Sequence, residues 1–219
     1  MAFTLINARP SPFGRKVAIA LIEKGIAYDV QYDVPWGDLT CTPDYSPLEQ
    51  LPILITDHET VYDSAHILDW LEARFPEPAL MPMQIDARLD AMKRRMLGER
   101  LMEVAQALIF ELVRPDPSAP WADRQTRKVT GVLNELERLY SVRAQDAASP
   151  LDLGDIAVAT TLLGIEFALT SGLSPDIAVL RWRTAHPALD GATAALDARP
   201  SFAATRPQMM DFNLQATVA

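Results

Sequence analysis

The apolar residues of this chain change their period near residue 80, and that change does most to limit its architecture. Before it, short apolar runs alternate with short helical patterns; after it, apolar residues recur at helical spacing over long stretches with little strand character. Two domains follow: a mixed α/β unit over residues 1–80, a linker at 81–85, and an all-helical unit over 86–219. A length of 219 residues suits one large domain or two small ones, and the change of period selects the second. With 49% apolar and 22% charged residues, the chain can fill a core, which excludes disorder as its main state.

The elements of the first unit can be placed one by one. Residues 3–6 form a short apolar strand, and Ser11-Pro12 opens a helix over 13–24 with Phe13, Val17, Ala20 and Leu21 on one face. Gly25 closes it, so proline stands at the start and glycine just past the end. Tyr28, Val30, Tyr32 and Val34 alternate with Asp29, Gln31 and Asp33, which predicts a strand buried on one face. After an irregular stretch at 36–47, residues 53–56 and 60–62 flank Asp57-His58-Glu59 as a hairpin. A helix over 64–75 turns Ile67, Leu68 and Leu71 inward and ends before Pro76. Strand, helix, strand, hairpin and helix, with one right-handed crossover, is a thioredoxin-type order.

Beyond the linker, Ile85, Leu89, Met92 and Met96, continued by Val104, Leu108 and Leu112, predict the inward seam of a long helix. Val129, Leu133, Leu136 and Tyr140 mark a second helix. A third starts at Asp152, which is placed to cap it, with Asp155 favouring its positive end.

Charge and composition exclude several roles. A net charge of −9 argues against a general grip on nucleic acid. The longest run without Asp, Glu, Lys or Arg covers residues 156–165, about half of what a bilayer span needs, so no membrane partner is expected. The first nine residues lack the apolar segment of a secretory signal, and Cys41 is the single cysteine, so a cytoplasmic, reducing setting is expected. His58, His66 and His186 show no metal-ligand spacing, and no metal is expected.

The start of the first helix is the most chemically suggestive position. The Ser11 hydroxyl and the unpaired N–H groups of the helix end share one small volume, which favours an anion, although a serine here can also be a plain cap. In thioredoxin-type folds this helix start carries Cys-x-x-Cys in redox enzymes. Here Ser11-Pro12-Phe13-Gly14 replaces it, which leaves the binding or activation of a thiol from elsewhere. Arg15 and Lys16 read as a solvated face of the same helix.

Four segments occur together in a telling order: Ser11-Pro12-Phe13-Gly14-Arg15-Lys16-Val17, then Ser46-Pro47-Leu48-Glu49-Gln50-Leu51-Pro52-Ile53-Leu54, then Tyr62-Asp63-Ser64, and finally Asp152-Leu153-Gly154-Asp155-Ile156-Ala157. On these the chain resembles the cytosolic glutathione S-transferases over nearly its whole length, most closely the serine-type classes such as tau and zeta and their bacterial relatives. The resemblance implies a thioredoxin-like N-terminal domain, an all-α C-terminal bundle and glutathione as co-substrate. It implies that Ser11 stabilises the glutathione thiolate, that Leu51 pairs by its backbone with the cysteinyl unit before a cis Pro52, and that Asp63 and Ser64 hold the γ-glutamyl end, Ser64 also serving as a cap. Gln50 stands where many members carry a lysine for the glycyl carboxylate, and Asp63 where Glu or Gln is usual. Phe13, Trp36, Met102, Gln106 and Phe110 are candidates for the pocket of the electrophile.

The implied reaction is conjugation of the thiolate to a small apolar electrophile. Isomerisation, peroxide reduction and a non-catalytic binding role on the same fold are the alternatives. A free thiol of pKa about 8.5 is roughly 3% ionised at pH 7; a drop of about two units raises the thiolate about 25-fold while making it about eightfold less nucleophilic. Holding the reactants together must therefore supply most of the acceleration. The resemblance also implies a homodimer. Residues 1–80 carry 5 basic and 12 acidic groups, and the helix around Arg88, Lys93, Arg94, Arg95 and Arg100 is expected to face this acidic unit in a second copy.

Overall fold

A computed structural model describes residues 2–143 and 150–211. Its N-terminal part is a thioredoxin-like four-stranded mixed sheet. The order β2-β1-β3-β4 comprises β1 (Thr4–Asn7), β2 (Asp29–Tyr32), β3 (Ile53–Ile55) and β4 (Thr60–Tyr62). β1 runs parallel to β2 through the crossover helix α1 (Pro12–Glu23), while β3 is antiparallel to both β1 and β4. A short turn of helix, α2 (Thr42–Tyr45), lies in the irregular stretch, and α3 (Ser64–Arg74) follows β4 directly. The helical part comprises α4 (Ile85–Leu112), α5 (Ala119–Arg143), α6 (Leu153–Thr170), α7 (Pro187–Asp197) and α8 (Pro200–Ala204).

One core crosses from the sheet into the helices. Leu5, Val17, Leu21, Leu54 and Leu68 pack with Leu153, Ile156 and Ala159 of α6. α1 is covered from both sides, and every residue from 14 to 21 is buried. Arg15 and Lys16 are therefore not on a solvated face. The Arg15 guanidinium donates to Phe202 O at 3.1 Å, and Lys16 Nζ pairs with Glu99 Oε1 at 2.5 Å. Burial pushes both groups below their ordinary pKa, and their acidic partners oppose the shift.

Two expected apolar faces are turned outward instead. All four residues of β2 are exposed, because β2 is an edge strand paired only with β1; the Arg9 guanidinium lies 4.0 Å over the Tyr32 ring. On α4 the expected seam is open: Ile85, Leu89, Met92 and Met96 are 63, 55, 50 and 47% exposed. The buried face of α4 carries Ala91, Arg94, Arg95, Gly98 and Leu101. Close backbone approach selects that face. A Cβ on Gly98 would stand 2.9 Å from Val158 N, and Thr161 Oγ1 donates to Gly98 O at 2.9 Å.

Asp152 caps α6 as expected, and the device is larger than a cap. The Asp152 side chain accepts from Asp155 N at 3.0 Å, and Asp155 accepts in return from Asp152 N at 3.4 Å. Arg94, fully buried, donates to Asp152 at 2.6 Å and to Asp155 at 2.5 Å, while Tyr140 Oη donates to Asp155 at 3.0 Å. The surrounding carboxylates hold the Arg94 pKa well above its usual value despite burial. α6 is long and apolar enough to cross a membrane by length and composition, but 72% of it is buried inside the fold.

Candidate functional site

The turn after β1 delivers Ser11 to the start of α1 in an extended conformation (φ −70°, ψ 118°), with Pro12 as the first helical residue. Its Oγ accepts from Gly14 N at 3.3 Å, and the hydroxyl proton has no acceptor among the described residues. Asn7, at the end of β1, packs under this turn: a Cβ on Gly14 would fall 1.6 Å from Asn7 Oδ1. Only glycine fits there, and Asn7 Oδ1 remains buried without a partner.

Across the cavity, the Leu51–Pro52 peptide is cis, and the Leu51 N–H and C=O have no hydrogen-bond partner among the described residues. Their position before β3 matters. Ile53 is in register with Tyr62, so the backbone at 51–52 lies level with Asp63 and Ser64. Asp63 sits at φ 66° and is itself the cap of α3, its Oδ1 accepting from Ala65 N at 2.8 Å and from His66 N at 3.1 Å. The cap role expected of Ser64 thus belongs to Asp63. Ser64 is the first helical residue, and its hydroxyl is left without a partner among the described residues.

Ser11, Gln50, Leu51, Asp63 and Ser64 line one cavity of about 610 Å³, together with Phe13, Trp36, Met102, Gln106 and Phe110. Both walls are mixed: the N-terminal side contributes Phe13 and Trp36 beside its polar groups, and α4 contributes Met102, Ile109 and Phe110 beside Gln106. Trp36 and Phe110 meet edge to face, ring centroids 5.9 Å apart, and join the loop after β2 to α4. Met210 also lines the cavity; the segment before it is fastened by Arg9 Nη1 donating to Gln208 Oε1 at 2.7 Å.

Several charged residues also line the cavity, of which Glu99 and Glu103 were not singled out from sequence. Lys16, Glu99, Arg100 and Glu103 reach the cavity, with Lys16 paired to Glu99 and Arg100 to Glu103 at 2.5 Å each. Arg95 ties this wall to α3, donating to Ala65 O at 2.6 Å and to Asp69 Oδ1 at 2.6 Å. The only sequence signal for Lys16 was its place inside a helix start of chemical interest. Glu99 and Glu103 had none: each has an arginine three or four residues before it on α4, the pattern of an ordinary charged helix face, and only the Lys16 partner of Glu99 comes from elsewhere in the chain.

Cys41 lies away from this cavity. Its thiol donates to Asp33 Oδ2 at 3.2 Å, and burial together with that carboxylate pushes its pKa up. His186 is buried between Trp182 O at 2.8 Å and Asn134 Oδ1 at 3.2 Å, a structural placement. Among the described residues no group of three His, Cys, Asp or Glu side chains is arranged to hold a metal ion.

The chain is similar to several known proteins. Residues 5–79 match the family described as "Glutathione S-transferase, N-terminal domain". A glutathione S-transferase from Methylobacterium radiotolerans, solved with glutathione sulfonate, is 35% identical with a TM-score of 0.86 and covers 97% of this chain and 98% of its own. One from Methylobacillus flagellatus with glutathione bound is 28% identical with a TM-score of 0.83, covering 94% and 100%. The GST-like protein YibF of Escherichia coli is 28% identical over 206 residues, 93% of this chain and 98% of its own length. With the cysteine motif of a redox protein replaced by a serine cap, and a likeness that runs through both the sheet and the helices, the chain belongs to the glutathione S-transferase family.

Proposed function

We propose that the protein conjugates the thiolate of glutathione to a small apolar electrophile, in a cytoplasmic setting. Residues 1–80 form the domain that holds the tripeptide, and the helical domain supplies most of the electrophile wall. One observation carries this reading: a serine hydroxyl with an uncommitted proton stands at a helix N-terminus, in the same cavity as an unpaired backbone at Leu51 and the acidic cap of α3. Each feature has a matching group on glutathione. The Ser11 hydroxyl donates to the sulfur, and the positive end of α1 favours its charge. Leu51 pairs with the cysteinyl backbone. The free oxygen of Asp63 takes the γ-glutamyl ammonium, while Ser64 and the first N–H groups of α3 take the carboxylate.

Phe13, Trp36, Met102, Gln106 and Phe110 then form the electrophile pocket, whose apolar character matches a small apolar acceptor. Two copies pair through the exposed apolar stripe of α4. The basic helix face expected for this role is reduced, because Arg94 and Arg95 are buried within their own chain.

The direct test is an ultraviolet difference spectrum with saturating glutathione near pH 7. The wild-type protein is expected to show a thiolate band that Ser11→Ala loses. Saturation without that band in the wild-type protein refutes the assignment.

A further inference from the structure

The cavity is electrically lopsided. Its two lining cations are both ion-paired, Lys16 to Glu99 and Arg100 to Glu103, and Glu99 is also bonded by Arg95, which ties that wall to α3. The wall at 49–51 is different. Gln50 is neutral, and Glu49 has no ion-pair partner among the described residues. Glu49 is also held at φ 50°, a left-handed conformation that favours glycine, with its N–H donating to Ser46 O at 3.0 Å.

Strand direction decides which end of a bound peptide meets Glu49. Asp63 and Ser64 lie level with Pro52 and Leu51 by the β3–β4 register. A peptide anchored there by its γ-glutamyl end, and paired antiparallel to Leu51, must run its other end toward Gln50 and Glu49. A free glycyl carboxylate would therefore end beside an unpaired carboxylate, with no lining cation left to receive it.

Resting on the reading of this cavity as a glutathione site, we infer that its preferred thiol is a glutathione derivative whose glycyl carboxyl is amidated by an aliphatic amine, with a second, cationic amine that pairs with Glu49. Amidation removes the repelled charge, and the terminal ammonium gives Glu49 a partner. Glu49 is then a specificity residue for the thiol substrate, distant from the sulfur chemistry at Ser11.

Calorimetric titration of the full chain at low salt and pH 7 tests this with three probes: glutathione, its glycyl ethyl ester, and glutathione amidated at glycine with 1,4-diaminobutane. The ester should bind about threefold and the diamine amide about tenfold more tightly than glutathione, with the range narrowing in high salt, as for exposed charge pairs. Glu49→Gln should compress the three affinities to within about twofold, and Glu49→Lys should reverse their order. Glutathione binding as tightly as or more tightly than both derivatives overturns the inference alone. Failure of all three to bind overturns the glutathione reading and the inference with it.

Discussion

Two helices in this protein start with the same device and use it differently. At α6, Asp152 accepts from the backbone N–H three residues on, and its own N–H is bonded back by Asp155. Arg94, Arg143 and Tyr140 then satisfy the remaining oxygens in a buried network. At α1, Ser11 also accepts from the N–H three residues on, but at 3.3 Å, with its proton uncommitted and its side chain facing a cavity. A closed polar group at a helix start holds the fold together, whereas an open one is available to a ligand. α4 connects the two, sealing the first with Arg94 and walling the second with Met102 and Gln106.

The contrast is most severely tested at α6. Arg94→Met leaves Asp152 and Asp155 with the partly exposed Arg143 as their remaining cation, and removing one partner of a buried ion cluster typically destabilises by about 3–5 kcal/mol. Urea denaturation should show a loss of that size, and adding Asp155→Asn should recover part of it. A variant as stable as the wild type would mean that the network is dispensable.

At α1 the same removal should barely touch stability. Ser11→Ala loses one long cap bond, about 0.5–1 kcal/mol, but it removes a hydrogen bond to a charged sulfur. Conjugation kcat should fall roughly tenfold to a hundredfold with the KM for glutathione nearly unchanged, as for an interaction made in the reacting complex. Loss of ionisation alone accounts for about threefold, since the gain in thiolate is partly offset by its lower nucleophilicity. A fall limited to threefold would therefore reduce Ser11 to an ionising group and remove its positioning role.

What the sequence disclosed follows the same division. The starts of α1 and α6, the hairpin at β3–β4 and the stop of α3 before Pro76 are written in residues a few positions apart, so local chemistry sufficed. The faces of α4 and β2 were misread because burial there depends on partners far along the chain. Arg94 turns inward because Asp152 and Asp155 stand opposite, and Arg95 because Asp69 and the Ala65 carbonyl of α3 do. Gly98, which admits α6 so closely, looks unremarkable in a helical repeat. Around the cavity, Ser11, Gln50, Leu51, Asp63 and Ser64 are legible from short motifs and Met102, Gln106 and Phe110 from helical spacing, whereas Glu99 and Glu103 of the same helix carried no signal. The cap at α3 shows the limit even of a motif, since Asp63 took the role assigned to Ser64.

With its charges turned in at Arg94 and Arg95, α4 must present its apolar residues elsewhere. Ile85, Leu89, Met92 and Met96 fall along one exposed stripe, which a second copy of the chain would cover. The double variant Met92→Glu with Met96→Glu should sediment as a 24.2 kDa monomer where the wild type sediments at twice that mass. Because these residues lie outside the buried network, its unfolding at low protein concentration should match that of the wild type. A wild-type protein that is monomeric at both low and high salt would detach the stripe from self-association.

A third helix start provides the mildest test, because its polar partner lies on another helix and is only partly shielded. Ahead of α8, Glu23 of α1 accepts from Arg199 Nη2 at 2.9 Å and from Ser201 Oγ at 2.5 Å. Burial raises the Glu23 pKa, but these donors outweigh it and hold the carboxyl below its ordinary value of 4.5. The sign follows from that direction. Unfolding releases a carboxylate that binds protons more readily, so the stabilisation is fully present above pH 4.5 and is lost as the pH falls through the lower folded value. Glu23→Gln should lower stability slightly at pH 7, and the difference from the wild type should shrink in acid. Chemical denaturation at pH 7 and below pH 4 measures both arms. A difference that stays constant across that range would assign the role of Glu23 to its shape and hydrogen bonds, with its charge contributing nothing, and would place α8 with α6 among the starts whose polar groups are structural at every pH.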